Sequence, residues 1–100
     1  GMGQIRSHTF RGRRYRIREV SRLGPREAPK YGDSDDPRTS AVDKEIRLTR
    51  GLSDFEFLYT ILHEGLHACY PDLDEDSVEM GSGDLVRLIW RYGYRRGENR

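Results

Sequence analysis

The sequence predicts an α+β domain in which a small three-stranded sheet packs on two helices. Segments of alternating polarity fall in the first half of the chain, and segments with apolar residues every three or four positions fall in the second half. Strands followed by helices are typical of a layered α+β arrangement. The chain has 100 residues, which suits a single domain, and we place that domain at residues 4–94.

The remaining residues and the composition set further bounds. Gly1 before Met2 is typical of a scar left by tag removal, so residues 1–3 are excluded, and residues 95–100 are expected to form a polar tail. The formal net charge is +1, so no strong overall field attracts nucleic acid or membrane. No apolar run approaches the about 20 residues of a membrane span. Cys69 is the single cysteine, which excludes an internal disulfide and favours a reducing compartment, the cytoplasm.

Residues 4–10 and 13–20 are the first two predicted strands. Arg11-Gly12 between them predicts a tight turn, so the two runs form a hairpin. In the second run, Tyr15 and Ile17, together with Glu19, fall on one face, and Arg14, Arg16 and Arg18 fall on the other.

A loop and a third strand follow the hairpin. Residues 24–40 are rich in proline, glycine and aspartate and predict a long loop that is either mobile or functional. Residues 43–49 predict a strand with Ile46 and Leu48 facing the core.

The first helix is the clearest element. Ser53 followed by Glu56 predicts a capping box, in which each side chain bonds to the other residue's backbone N–H. Pro71 is expected to end the helix. Its apolar stripe has helical spacing and consists of Leu58, Ile61, Leu62, Gly65, Leu66 and Cys69. This interpretation makes Cys69 a packing residue.

A second helix is predicted to start after Asp74, a favourable N-cap, and to end near Gly93. Its apolar side is expected to contain Val78, Leu85, Leu88, Ile89 and Tyr92.

Residues 63–67 read His-Glu-Gly-Leu-His, the HExxH pattern, inside the first helix. Residues four apart lie on one face of a helix, so the imidazoles of His63 and His67 can reach a single ion. Zn²⁺ accepts imidazole nitrogen at about 2.0–2.1 Å, and Glu64 then lies beside the ion as a general base. The simpler alternative is a surface helix with two solvated histidines. His8 is interpreted as a surface residue.

A third ligand must come from elsewhere, because no histidine follows His67. The run Asp-Glu-Asp-Ser-Val-Glu at residues 74–79 resembles the Asn-Glu-x-x-Ser-Asp segment of thermolysin-like gluzincins. The resemblance implies that Glu75 is the third ligand and that Glu79 orients a ligand histidine. The reverse assignment, with Glu79 as ligand, stays open. Helix capping and solubility are the other explanation of the acidic run.

Several segments of residues 41–95 carry a further resemblance: Lys-Glu-Ile-Arg-Leu, Leu-His-Glu-Gly-Leu-His-Ala-Cys, Asp-Leu-Asp-Glu-Asp-Ser-Val-Glu and Leu-Ile-Trp-Arg-Tyr-Gly-Tyr-Arg-Arg. Together they resemble the short zincin-type metallopeptidases of phages and prophages. The resemblance implies a minimal zincin fold that binds Zn²⁺ and acts on a peptide or protein substrate.

The expected activity is therefore metal-assisted hydrolysis of peptide bonds, with Glu64 as base. The strand at 43–49 is the expected edge on which a substrate is aligned. An oxyanion donor is expected from Tyr70, Tyr31 or an arginine, and the sequence does not choose between them.

Two other hypotheses compete with an active peptidase. One is a non-catalytic, zinc-stabilised phage regulatory or interaction module that uses the arginine-rich hairpin. The other is a latent enzyme in which residues 31–38 form a lid that completes the site when a partner binds. The arginines are interpreted first as solvated surface and second as a nucleic-acid contact, and the oligomeric state is not defined by the sequence.

Overall fold

A computed structural model describes residues 5–39 and 43–97 of the chain. Four strands and two helices follow one another in these segments: β1 Ser7–Phe10, β2 Arg13–Val20, β3 Gly32–Ser34, β4 Lys44–Thr49, α1 Asp54–Cys69 and α2 Glu75–Arg91. The α+β class is confirmed, but the count of three strands is wrong because the sheet has four. Residues 1–3 and the end of the predicted tail, 98–100, lie outside the described residues.

Strands β1 and β2 form the predicted antiparallel hairpin, with Phe10 opposite Arg13. The two residues between the strands, Arg11 and Gly12, both have positive φ, at 50° and 83°. That backbone matches the right-handed twist of the flanking strands, which is why a tight two-residue connection fits here.

The sheet is mixed, with the strand order β1-β2-β4-β3. Strand β4 runs parallel to β2 and antiparallel to β3. The expected long loop at 24–40 is wrong for residues 32–34, because these form β3, with Asp33 opposite Arg47 and Ser34 opposite Ile46. Arg47 donates to the carboxylates of Asp33 and Asp35 at 2.6 and 2.9 Å. Side-chain ion pairs therefore add to the ladder that holds this short strand.

The core lies between the sheet and α1. Tyr15, Ile46 and Leu48 from the sheet are buried against Ala68 of α1. The predicted alternation in β2 is confirmed, since Tyr15 is buried while the neighbouring Arg14 and Arg16 are exposed. Four partly buried residues complete the cluster: Phe10, Ile17, Phe57 and Ile61.

Both helices begin at their predicted caps. The side chain of Ser53 accepts from Glu56 N and that of Glu56 accepts from Ser53 N, at 3.2 and 3.0 Å. Asp74 caps α2 by accepting from the Ser77 backbone at 3.2 Å. These bonds satisfy donors that a helix N-terminus otherwise leaves unpaired. Neither helix is long and apolar enough to cross a membrane.

Helix α2 packs on α1 and not on the sheet. Its buried residues are Val78, Ser82, Gly83 and Val86. The predicted apolar side is therefore right for Val78 and wrong for Leu85, Leu88 and Tyr92, which are exposed. A helix with one packing partner buries one narrow face, and small side chains are favoured there because they allow a close approach.

The chain returns to the sheet after α2. Arg96, placed in the predicted polar tail, donates to Glu19 of β2 at 2.8 Å. Its guanidinium also lies 3.9 Å from the centroid of the Phe57 ring. This residue thus covers part of the sheet–α1 layer rather than extending into solvent.

Candidate metal centre

Helix α1 presents both histidines of the HExxH pattern on one face. The Nε2 atoms of His63 and His67 lie 3.1 Å apart, as the four-residue spacing predicts. The rings meet edge to face with their centroids 4.8 Å apart. His63 is the more buried of the two, with 13% of its side chain exposed against 25% for His67.

Glu75, the first residue of α2, lies against these two imidazoles. A short turn connects the helices, with Leu73 N bonded to Tyr70 O at 3.1 Å, and the Asp74 cap fixes where α2 starts. The Glu75 Oε1 atom is consequently 2.8 Å from His63 Nε2 and 3.3 Å from His67 Nε2. The structure brings Glu75 to the site, as the gluzincin resemblance implies.

The three donors fit a metal ion. They all lie within 4.8 Å of one another, and they form the one such group found among residues 5–39 and 43–97. In a tetrahedral site with bonds of about 2.0–2.1 Å, neighbouring ligand atoms lie about 3.3 Å apart. The observed separations of 2.8 to 3.3 Å are close to that value. His63, His67 and Glu75 can therefore hold a metal ion with little rearrangement.

Glu79 lies one turn further along α2 and is exposed. It lines the same cleft as the histidines, but it is not part of the group of three donors. The Nδ1 atom of His63 is buried and, in the described part of the chain, has no hydrogen-bond partner. Glu79 does not fill that position here, so its role in orienting a histidine stays a prediction.

Glu64 points from α1 toward the edge of the sheet and is only 6% exposed. Burial raises the pKa of its carboxyl, and a hydrogen bond from the Ser34 hydroxyl partly offsets that rise. Ser34 lies on β3, with its side chain on the same sheet face as Ile46 opposite. A buried carboxylate with a raised pKa is a stronger proton acceptor than an exposed one, which suits a general base.

A cleft of about 510 Å³ contains these groups. Its floor is formed by His63, Glu64 and His67, one wall comes from α2, and the opposite wall is β3 with the turn that follows it. Within the part of the chain that the structure describes, strand β3 pairs only with β4, so its other edge faces away from the sheet. The expectation that residues 43–49 form the substrate-aligning edge is wrong, because β4 lies inside the sheet between β2 and β3.

Gly32 explains how β3 comes so close to α1. A Cβ atom at this position would lie 2.6 Å from Cγ2 of Thr60, a buried residue of α1. Only glycine avoids that clash, so the strand can approach the helix closely enough for Ser34 to reach Glu64. Residues 32–34 lie among prolines and aspartates, which are typical of turns. No pattern in the sequence therefore predicted a strand at this position.

The tyrosines are placed differently from the expectation. Tyr31 donates to Glu56 at 3.2 Å, and Tyr70 lies under Arg11, so neither lines the cleft. Tyr59, which sequence reasoning missed, packs on His63 with ring centroids 5.6 Å apart. Burial first, and then the Glu79 and Glu75 carboxylates, raise its pKa. Its position four residues before His63, on the same helix face, is the signal that could have found it.

Fold and site together define an α+β domain with a two-histidine, one-carboxylate group able to bind a metal ion. No family model matches the chain, and neither a curated protein nor a solved structure does.

Proposed function

We propose that this chain is a zinc-dependent peptidase. The observation that carries the proposal is the convergence of His63 Nε2, His67 Nε2 and Glu75 Oε1 within 4.8 Å, with the buried carboxylate of Glu64 beside them. Two imidazoles and one carboxylate are a common ligand set of catalytic zinc, whereas structural zinc sites usually have four protein ligands. The donor set thus favours a reactive centre over a purely structural one.

We propose Zn²⁺ as the metal because both histidines come from an HExxH pattern within one helix, which is typical of zinc peptidases, although the donor set alone also suits Fe²⁺. When bound, it supplies a Lewis acid that polarises a carbonyl oxygen and lowers the pKa of water to about 7. His63, His67 and Glu75 would hold the ion.

Glu64 does the proton chemistry. Its carboxylate takes a proton from the water whose oxygen attacks the peptide carbonyl, and it delivers that proton to the amine nitrogen as the C–N bond breaks. The Ser34 side chain lies beside this carboxylate, and hydrogen bonding to it lowers the carboxyl pKa, so we propose that Ser34 helps to orient Glu64. That interaction also reduces the cost of keeping a charge on this buried carboxyl group.

A peptide is the substrate class that the cleft walls favour. The outer edge of β3 offers backbone groups to which an extended chain can pair, and this edge borders the cleft that contains Glu64. Main-chain pairing of this kind fixes a peptide without depending on its side chains. One hypothesis from the sequence was that residues 31–38 form a lid over the site. Because these residues include the paired strand β3, we propose instead that they form a wall of the binding site.

The location that suits this proposal is the cytoplasm. A single cysteine fits a reducing compartment, and the fold has no disulfide to protect.

The test combines metal analysis with peptide hydrolysis. We expect about one zinc per chain, lost in His63→Ala and kept in His8→Ala, whose side chain is exposed. Glu64→Gln is expected to keep the metal and lose turnover of a peptide library, while Glu27→Gln in the exposed loop retains both. Full turnover by Glu64→Gln would contradict the assigned base. Absence of zinc in the unaltered chain, even after zinc is supplied, would contradict the whole proposal.

A further inference from the structure

The sheet has an outer face that points away from α1, and it is dominated by arginine. Alternation along β2 puts Arg14, Arg16 and Arg18 on this face, with successive Cα atoms about 6.6 Å apart. All three are exposed, with 68% and 51% of the Arg16 and Arg18 side chains accessible. We propose that this face is a binding surface for the phosphate backbone of nucleic acid.

Glu45 on β4 positions two of these arginines. Its carboxylate accepts from Nη1 of Arg16 at 3.3 Å and from Nη1 of Arg18 at 3.2 Å. Only 16% of the Glu45 side chain is exposed. A guanidinium has five N–H donors, and each arginine uses one nitrogen in these bonds. The remaining donors point outward in a planar arrangement that matches phosphate oxygens.

Hydroxyl groups on β1 extend the donor surface. Ser7 lies opposite Arg16 and Thr9 lies opposite Arg14, and Arg14 already donates to Ser7 Oγ at 3.2 Å. Arginine forks with neighbouring hydroxyls are the groups that most often contact phosphate and sugar.

The charges of the groove on this face are unbalanced. It has a volume of about 920 Å³, and six basic and three acidic side chains line it: Arg6, Arg14, Arg16, Arg18, Lys44 and Arg50 against Glu19, Asp43 and Glu45. Glu19 is already paired with Arg96. The chain as a whole is close to neutral, so this surplus is a local feature of one face.

The groove suits a nucleic-acid backbone better than a protein or a lipid surface. None of the exposed large hydrophobic side chains of the described residues lines it. It therefore lacks the buried apolar anchors of a protein interface and the apolar residues that insert into a membrane. It also lacks exposed aromatic rings for stacking bases, so we expect binding that is independent of sequence.

This surface is separate from the metal centre. The groove shares no residue with the cleft around His63, and α1 lies on the opposite face of the sheet. Binding to the outer face leaves the cleft accessible, so this inference and the proposed peptidase activity can fail independently.

The experiment measures fluorescence anisotropy of labelled single-stranded and duplex DNA with the zinc-supplemented full chain over a range of salt. Binding should weaken linearly on a log–log plot against salt. The combined Arg14→Gln, Arg16→Gln and Arg18→Gln variant should reduce the slope by about 3, and Arg14→Gln alone by about 1. The corresponding three lysine substitutions should keep the slope, because counterion release depends on charge.

The matched control is Arg26→Gln, Arg87→Gln and Arg91→Gln, which removes the same charge from exposed positions elsewhere and should keep the slope. Circular dichroism shows whether each variant is folded. If the triple variant does not fold, the salt dependence of Arg14→Gln alone tests the inference. The inference is overturned if DNA does not bind at low salt, or if the control loses as much affinity as the triple variant. Equal competition by polyglutamate, or stronger binding to anionic vesicles, also overturns it.

Discussion

The side chain of Ser34, on the edge strand β3, lies beside the buried carboxylate of Glu64 on α1, and hydrogen bonding to it lowers the pKa of that carboxyl. This bond joins the helix that carries the histidines to the strand that borders the cleft. It connects the proposed catalytic base to the proposed substrate edge, so the two are positioned by the same contact.

Ser34→Ala should therefore lower turnover while leaving the metal in place. Because the substitution removes a contact that orients the base, we expect kcat to fall by about tenfold, which corresponds to about 1.4 kcal/mol of activation free energy. Zinc content and kcat measured on the same samples check this, with Ser21→Ala at an exposed bend as the control. Unchanged kcat in Ser34→Ala would show that this bond does not position Glu64.

Glutamine substitutions at Glu75 and at Glu79 test which of the two carboxylates is the third metal ligand. Glu75→Gln should lose zinc, because its Oε1 atom is the one next to both histidine nitrogens. Glu79→Gln should keep more of it, with at most the about 10–100-fold loss of affinity that an indirect partner causes. Zinc affinity is measured by competition with a chelator, and a larger loss in Glu79→Gln would reverse the assignment.

Two glycines of the described chain should respond to alanine in opposite directions. Gly32→Ala places a methyl group 2.6 Å from Thr60 Cγ2, and the forced separation of β3 from α1 should cost about 1–3 kcal/mol. In Gly65→Ala the nearest atom is Phe10 Cε1 at 3.4 Å, an ordinary contact. This substitution should stabilise α1 by up to about 1 kcal/mol. Urea unfolding of both variants tests the pair, and equal effects would refute the close approach at Gly32.

Acid should weaken the attachment of β3 to the sheet. Burial raises the pKa of Asp35, but the hydrogen bonds from Arg47 and from Glu45 N outweigh it, so the pKa lies below its usual value of 3.8. A lowered pKa stabilises the fold fully above the unfolded value, and the stabilisation is lost as the pH falls through the folded value. The free energy of unfolding should consequently decrease below about pH 5.

The variant Asp35→Asn isolates this contribution. It should be less stable at neutral pH by roughly 1–2 kcal/mol and should lose less stability on acidification than the unaltered chain. Asp84→Asn is the control, because its pair with Arg87 is on the surface with 75% of the Asp84 side chain exposed, and such pairs contribute little. An identical pH dependence in Asp35→Asn and the unaltered chain would contradict the assigned role of Asp35.

Local sequence patterns determined the parts of the molecule that depend on neighbouring residues. The capping box of Ser53 and Glu56, the cap at Asp74 and the turn at Arg11-Gly12 were all predicted and are all present. The spacing of His63 and His67 placed both imidazoles on one face for the same reason. Helix periodicity and capping act within a few residues, so a sequence contains the information directly.

Features that depend on contacts between residues far apart in the chain were decided only by the tertiary structure. Strand β3 is three residues long and exists because Gly32 permits contact with α1 and because Arg47 pairs with Asp33 and Asp35. The position of β4 inside the sheet follows from that added strand. Whether Glu75 rather than Glu79 reaches the histidines depends on how α2 packs against α1. Each of these results is set by packing and charge between segments far apart in the chain, which residue order does not reveal.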